Sequence, residues 1–192
     1  MSIILGSSSK PRQKILQFFS LPFEQFSPPF DESTLPFNGD PIAYAKELSI
    51  GKARSIPIDD RIIVTADTVV FKDKRLFIKP ESEKQALEML HELNGSTHYV
   101  YTALCVRRGK QLFTDHCETK IKFIKATDKQ LLKYHRAFNG LDKAGGYGIQ
   151  EAGSLIVEKM EGCFYNVVGL PITTLQKLLQ HFGVDLWDYL TS

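Results

Sequence analysis

Asp67 is the residue that first asks for a chemical explanation. It stands between Ile62-Ile63-Val64-Thr65-Ala66 and Thr68-Val69-Val70, and a carboxylate buried in such a run is costly without a partner. A solvent-facing position on an edge strand would avoid that cost, but the run is apolar on both faces, as in a central strand. The better reading is a general base or metal ligand projecting into a cleft. Asp31-Glu32 lies in a proline-rich stretch and alone would be solvated surface. Brought beside Asp67, this pair could hold Mg²⁺, which favours oxygen ligands and shares them with phosphates. Ser7-Ser8-Ser9 falls between a strand and a helix, where backbone N–H groups can cradle phosphate, although an isolated serine run is more often an ordinary N-cap. Arg12, in the following turn, strengthens the anion reading. Lys52 and Lys79 would each, alone, be ordinary surface lysines. Lys143-Ala144-Gly145-Gly146-Tyr147-Gly148-Ile149-Gln150 is more specific: its glycines admit close backbone approach, and the Gln150 amide can read a base edge.

Other chemistries lack their residues. The chain has neither GxxxxGK[ST] nor GxGxxG, so P-loop and dinucleotide-binding readings lose their main support. Cys105, Cys117 and Cys163 form no CxxC and have no nearby histidine spacing, which argues for three reduced thiols in a cytoplasmic protein. The five histidines, 91, 98, 116, 135 and 181, show no ligand spacing and read as structural or surface groups. The 192 residues are 43% hydrophobic and 24% charged, with 24 Lys plus Arg against 22 Asp plus Glu. That is ordinary globular composition, and a single domain spanning 1–192 is expected. A net charge of +2 counts against a nucleic-acid-coating protein. No apolar run reaches the length of about 18 residues needed to span a bilayer, and Met1-Ser2-Ile3-Ile4-Leu5-Gly6 reads as an opening strand rather than a signal peptide.

These residues must be positioned by an α/β chain. Residues 3–5 predict a short buried strand. A helix follows with Pro11 in its first turn and Ile15, Leu16, Phe18 and Phe19 at helical spacing. Residues 23–26 read as a strand and 27–39 as a loop. Asp40-Pro41 caps a helix running to Gly51 or Ala53. Residues 61–71 form a central strand. Ser82 with Gln85 makes a capping box for a helix ending near Leu93. Residues 99–108 and 111–124 are two long strands, and Thr127 with Gln130 caps a helix reaching Phe138. Residues 140–148 are a glycine-rich loop, 154–160 a strand, and 171–182 a helix with Gly183 as its C′ residue. Long antiparallel strands mixed with helices predict a curved, mixed sheet.

The order Ser7-x-Ser9-x-x-Arg12, Asp31-Glu32, Lys52-Ala53, Ala66-Asp67-Thr68-Val69-Val70, Lys79-Pro80, Glu118-Thr119, Lys143 to Gln150 and Asn166-Val167-Val168-Gly169-Leu170-Pro171 resembles the Maf family. Its members are nucleoside triphosphate pyrophosphatases related in fold to the inosine triphosphatases. The resemblance implies a curved mixed sheet with flanking helices, in two lobes around a deep cleft, often as a homodimer. It implies hydrolysis of a nucleoside triphosphate to monophosphate and pyrophosphate with a divalent cation, Mg²⁺ or similar. Asp67 falls at the family's catalytic acidic position. Arg12, Thr68 and Gln150 fall where the branch preferring dTTP and UTP carries its specificity residues, and Glu32, Lys52 and Lys79 match other polar cleft positions. The family commonly reads Ser-x-Ser-Pro-Arg-Arg. Here Lys10 stands in the usual proline place, Pro11 replaces one arginine, and Lys14 replaces an acidic residue of the first helix, which makes the expected mouth more basic.

On this reading Glu32 and Asp67 hold the metal, Ser7, Ser9, Arg12, Lys52, Lys79, Thr68 and Gln150 bind substrate, and Asp67 orients or deprotonates a water that attacks the α phosphorus. A non-catalytic nucleotide-binding regulator of cell division is the alternative. It would keep the phosphate-binding groups without needing Asp67.

Overall fold

In the computed structural model the described residues are 2–138 and 140–190; residues 1, 139, 191 and 192 of the expected domain lie outside them. Seven strands form one open sheet in the order β2-β1-β3-β5-β6-β7, with β4 also on β3. They are β1 (Ile3–Gly6), β2 (Phe23–Phe26), β3 (Ile62–Lys72), β4 (Arg75–Phe77), β5 (Thr97–Arg108), β6 (Gln111–Phe123) and β7 (Val157–Gly162). β1 runs parallel to β2 and β3, and the remaining pairs are antiparallel. The mixed sheet is therefore as expected. The helices are α1 (Lys10–Leu16), α2 (Pro41–Ser55), α3 (Glu83–Leu93), α4 (Asp128–Ala137), α5 (Phe164–Val168) and α6 (Ile172–Gln180).

Alternation along β3 sends Ile62, Val64 and Ala66 into a core with Ile15, Leu16, Leu175 and Leu179 of α1 and α6, as period-two geometry requires. The opposite face carries Ile63, Thr65 and Val69. There the Thr65 hydroxyl donates to the Ser49 carbonyl of α2 at 2.7 Å, and Val69 packs with Ala45. β3 is eleven residues long, whereas β1 and β4 together cover only part of one of its edges. β1 pairs from Ile62 to Thr65 and β4 from Val70 to Lys72. β5 occupies the other edge from Ile63 to Phe71. Between β1 and β4 a four-residue gap leaves the edge of Ala66-Asp67-Thr68-Val69 without a neighbouring strand. The gap opens just past the carboxyl end of β1, the place where open α/β sheets tend to take ligands.

Several elements differ from the sequence expectation. α1 ends at Leu16, so Phe18 is exposed rather than on a helical face. α2 continues through Gly51 to Ser55. Its end is held by Arg107, whose guanidinium donates to the Ala53, Ile56 and Ile58 carbonyls. The loop at 27–39 contains a short 3₁₀ turn, Glu32–Thr34, capped by Asp31. The Thr127–Gln130 capping box is complete. At Ser82 only half forms, because the Gln85 amide oxygen accepts from Glu81 N–H instead. Phe138 caps α4 rather than extending it. Residues 151–155 form a 3₁₀ turn, which delays the last strand to Val157.

Candidate active site

The gap in β3 is the floor of a pocket of about 490 Å³. The pocket reaches both faces of the strand, which is how two successive residues both contribute to it. Asp67 faces α2, and Thr68 faces α1 and α5. The pocket is lined by Ser7, Ser9, Arg12, Glu32, Lys52, Asp67, Thr68, Lys79 and Gln150, whereas Asp31 is not among the lining residues and its carboxylate accepts from Ser33. Lys10, Phe30 and Lys143 line it too. Lys14 does not; it is exposed in the last turn of α1, so it adds no charge to the pocket lining.

Lys52 is the centre of the charged side. Its ammonium contacts Asp67 Oδ1 and lies 2.8 Å from Glu32 Oε1. Burial pushes the Asp67 carboxyl above its ordinary range, against the pull of Lys52 and Arg12 and with a push from Glu32. Burial would also raise Glu32. Its hydrogen bond and attraction to Lys52, with Lys79 and Arg12 behind, outweigh that and hold Glu32 below the usual range. Two carboxylates sharing one cation are thus pushed apart in acidity, the arrangement that separates acid and base roles.

Arg12 is turned inward. Its Nε donates to Gly169 O at 2.8 Å, Nη1 to Ala66 O at 2.8 Å and Ser7 Oγ at 3.3 Å, and Nη2 to Thr68 Oγ1 at 3.0 Å. Four of its five N–H donors are therefore spent on the protein. One of them closes the orphaned Ala66 carbonyl on the open strand edge. Burial lowers the Arg12 pKa while Asp67 and Glu32 oppose the shift. Gly169, the αL cap of α5 at φ 108°, allows this approach, since a Cβ there would sit 3.2 Å from Arg12 Nε and 3.1 Å from Thr68 Oγ1. Ser9 takes the ordinary N-cap role, accepting from Arg12 N–H. Ser7 Oγ accepts from Ser9 N–H and Arg12, which fills its acceptor positions and leaves its proton as a donor.

The glycine-rich segment is ordered from beneath. Tyr147 is buried with its hydroxyl 2.7 Å from His98 Nε2, and both rings pack edge-on to Phe123. Burial holds the His98 pKa down to about 3, so this imidazole is neutral. Gly145 N–H donates to Ile78 O at 3.2 Å, which ties the segment to the stretch bearing Lys79. The sequence reading of His98 as structural stands, but nothing in its spacing identified its partner. Also missed was a buried network behind Thr68, built from Thr102, Asn166 and Thr119. Asn166 and Thr119 stand in motifs the sequence displays; Thr102 carries no such signal.

A family model of Maf-like proteins matches residues 2–182. The chain belongs to the Maf family. Among similar Maf relatives, a dTTP/UTP pyrophosphatase of Chlamydia felis is 47% identical over 191 residues, covering 98% of this chain and 97% of the relative. A nucleoside triphosphate pyrophosphatase of Chlamydia muridarum is 44% identical, with the same coverage. A dTTP/UTP pyrophosphatase of Clostridium tetani is 39% identical over 192 residues, covering 97% of this chain and all of the relative.

Proposed function

We propose that this chain hydrolyses nucleoside triphosphates, dTTP and UTP foremost, to the nucleoside monophosphate and pyrophosphate. The observation that carries the reading is the Glu32–Lys52–Asp67 cluster in a pocket whose other cations include Lys79, Lys10 and Lys143. The names of its Maf relatives agree with it. The donor set fits Mg²⁺. Two carboxylates converge on one cationic group, the Lys52 ammonium. Mg²⁺ commonly takes one or two carboxylates and completes its shell with water and substrate phosphates. Glu32 and Asp67 would hold it; when bound, it would neutralise phosphate charge.

The chain's own residues do the rest. Lys52 and Lys79 offset the charge of the triphosphate, and the Ser7 hydroxyl proton is available to an oxygen. Asp67 orients or deprotonates the attacking water. Removing one such electrostatic contribution costs about 3 kcal/mol, or about a hundredfold in rate. With water as nucleophile no covalent intermediate is needed. The three cysteines are free thiols. Burial raises Cys105 to about 12 and Cys117 to about 11, leaving both unreactive, as suits the reducing cytoplasm proposed for this chain. The test is to incubate the protein with each triphosphate and Mg²⁺ and measure pyrophosphate, with and without chelator. Chelator-sensitive release is expected. Binding of a triphosphate without release would leave the non-catalytic regulator standing instead.

A further inference from the structure

Thr102 lies on β5 opposite Thr68 and is fully buried; it does not line the pocket. Its hydroxyl donates to the Asn166 carbonyl at 2.7 Å. A carbonyl has no proton to give, so the single Thr102 proton is committed there. The Thr68–Thr102 hydroxyl contact at 2.9 Å then has only one possible donor, Thr68. Thr68 Oγ1 meanwhile accepts from Arg12 Nη2 at 3.0 Å. With its proton turned inward and one lone pair taken, Thr68 has one acceptor position left and no donor.

We propose that Thr102 is a positioning residue for base selection: by fixing the Thr68 proton inward, it makes Thr68 an acceptor-only group in the pocket wall, complementary to the N3–H shared by uracil and thymine. This rests on the reading of the pocket as a pyrimidine triphosphate site. The placement follows from the two faces of β3. The charged end of a triphosphate belongs with Lys52, Glu32 and Asp67 on the α2 side. The flat, largely apolar base belongs against the other side, where Val70, Val100, Tyr147 and Val167 share one apolar cluster and line the pocket. Thr68 shares that face with Val70 and is the polar group set beside this wall. Cytosine presents an unprotonated N3, so an acceptor would meet an acceptor. A site built for one hydrogen-bonding edge rejects a ligand that leaves its groups unpaired.

Two measurements test this. The first is the UTP-to-CTP ratio of kcat/KM in wild type, Thr102→Val and Thr102→Ser. Valine cannot accept the Thr68 proton, so Thr68 is released to donate to cytosine. Asn166 O keeps its bond from Gly169 N–H at 3.0 Å. The ratio is expected to fall about tenfold in Thr102→Val, through a gain on CTP, and to be restored in Thr102→Ser. An unchanged ratio in Thr102→Val, or an equal fall in Thr102→Ser, overturns the proposal. The second needs no variant and holds if Thr102→Val fails to fold. Neutron diffraction from deuterium-exchanged crystals should place the Thr68 deuteron on the line to Thr102 Oγ1. A deuteron directed into the pocket overturns the proposal. Wild-type protein that releases no pyrophosphate from any pyrimidine triphosphate would instead overturn the substrate reading, whatever the deuteron shows.

Discussion

Asp67 and Glu32 share the Lys52 ammonium yet shift in opposite directions, because Asp67 is buried on the strand and Glu32 is half-exposed on its turn. Asp67→Asn keeps the shape but can neither take a proton from water nor hold a cation well. Turnover should fall about a hundredfold or more while the fold is retained. The stability change has a definite sign. The folded Asp67 pKa lies above its unfolded value, so the ionised form costs folding free energy above that folded pKa, and the cost disappears once pH falls below the unfolded value. The Asn variant should therefore melt no lower than wild type at pH 7, and any advantage should shrink as pH falls. A variant that melts well below wild type at neutral pH would show that Asp67 is chiefly a structural ion-pair partner. In the cation-free protein the same burial should hold the Asp67 side chain protonated above the ordinary carboxylate range, read by NMR titration without Mg²⁺. Titration at or below about pH 4, near the usual range of a carboxylate, would contradict it.

At the level of elements, α2 delivers Lys52 to β3, and Gly51 beside it shapes the pocket wall. A Cβ on Gly51 would lie 2.3 Å from the Phe30 ring, and Phe30 is a lining residue. Phe30 is half-buried and its ring can swing away, while alanine gains about 1 kcal/mol of helix propensity over glycine. Gly51→Ala is thus expected to leave the melting temperature nearly unchanged and to raise KM, as steady-state kinetics would show; an unaltered KM would mean that the Phe30 wall does not touch substrate. His98 gives a pH test of the glycine-rich segment. Its folded pKa of about 3 lies below the ordinary value of 6.5, so the unfolded chain takes up a proton first and stability is lost as pH falls across that window. His98→Gln, which keeps a partner for Tyr147, should flatten melting temperature against pH there, and an identical slope would exclude the histidine as the cause. Much of this scaffold was legible in sequence. The Asp40-Pro41 start of α2, the apolar run of β3 and the Thr127–Gln130 cap are local signals that the fold obeys. β4 was not, because its hairpin turns through Asp73-Lys74, both at positive φ of 49° and 65°, where Asn-Gly or Asp-Gly normally gives the sign. α5 was not either, since five residues are too few for a periodic pattern. The gap in the β3 edge depends on how far β1 and β4 extend along a longer strand, and no local pattern encodes that. The site residues could be named one by one, but their division between the two faces of β3, and the inward turn of Arg12, exist only in the fold.

For the whole molecule, the proposed placement divides a substrate between two sides of the pocket: charge on the α2 side of β3, and an apolar wall with Thr68 on the other, with Gln150 on the glycine-rich segment. dTTP and UTP should therefore be hydrolysed faster than CTP, GTP or ATP, and Gln150→Ala should narrow the gap, read as kcat/KM across the triphosphates. GTP as the best substrate would contradict the pyrimidine preference and spare the hydrolysis. In the proposed reaction water attacks the α phosphorus and pyrophosphate leaves. Hydrolysis of UTP in ¹⁸O-labelled water, with mass analysis of the products, tests it directly. One ¹⁸O is expected in the uridine monophosphate and none in the pyrophosphate. Label in pyrophosphate, or release of labelled orthophosphate with uridine diphosphate, would contradict it.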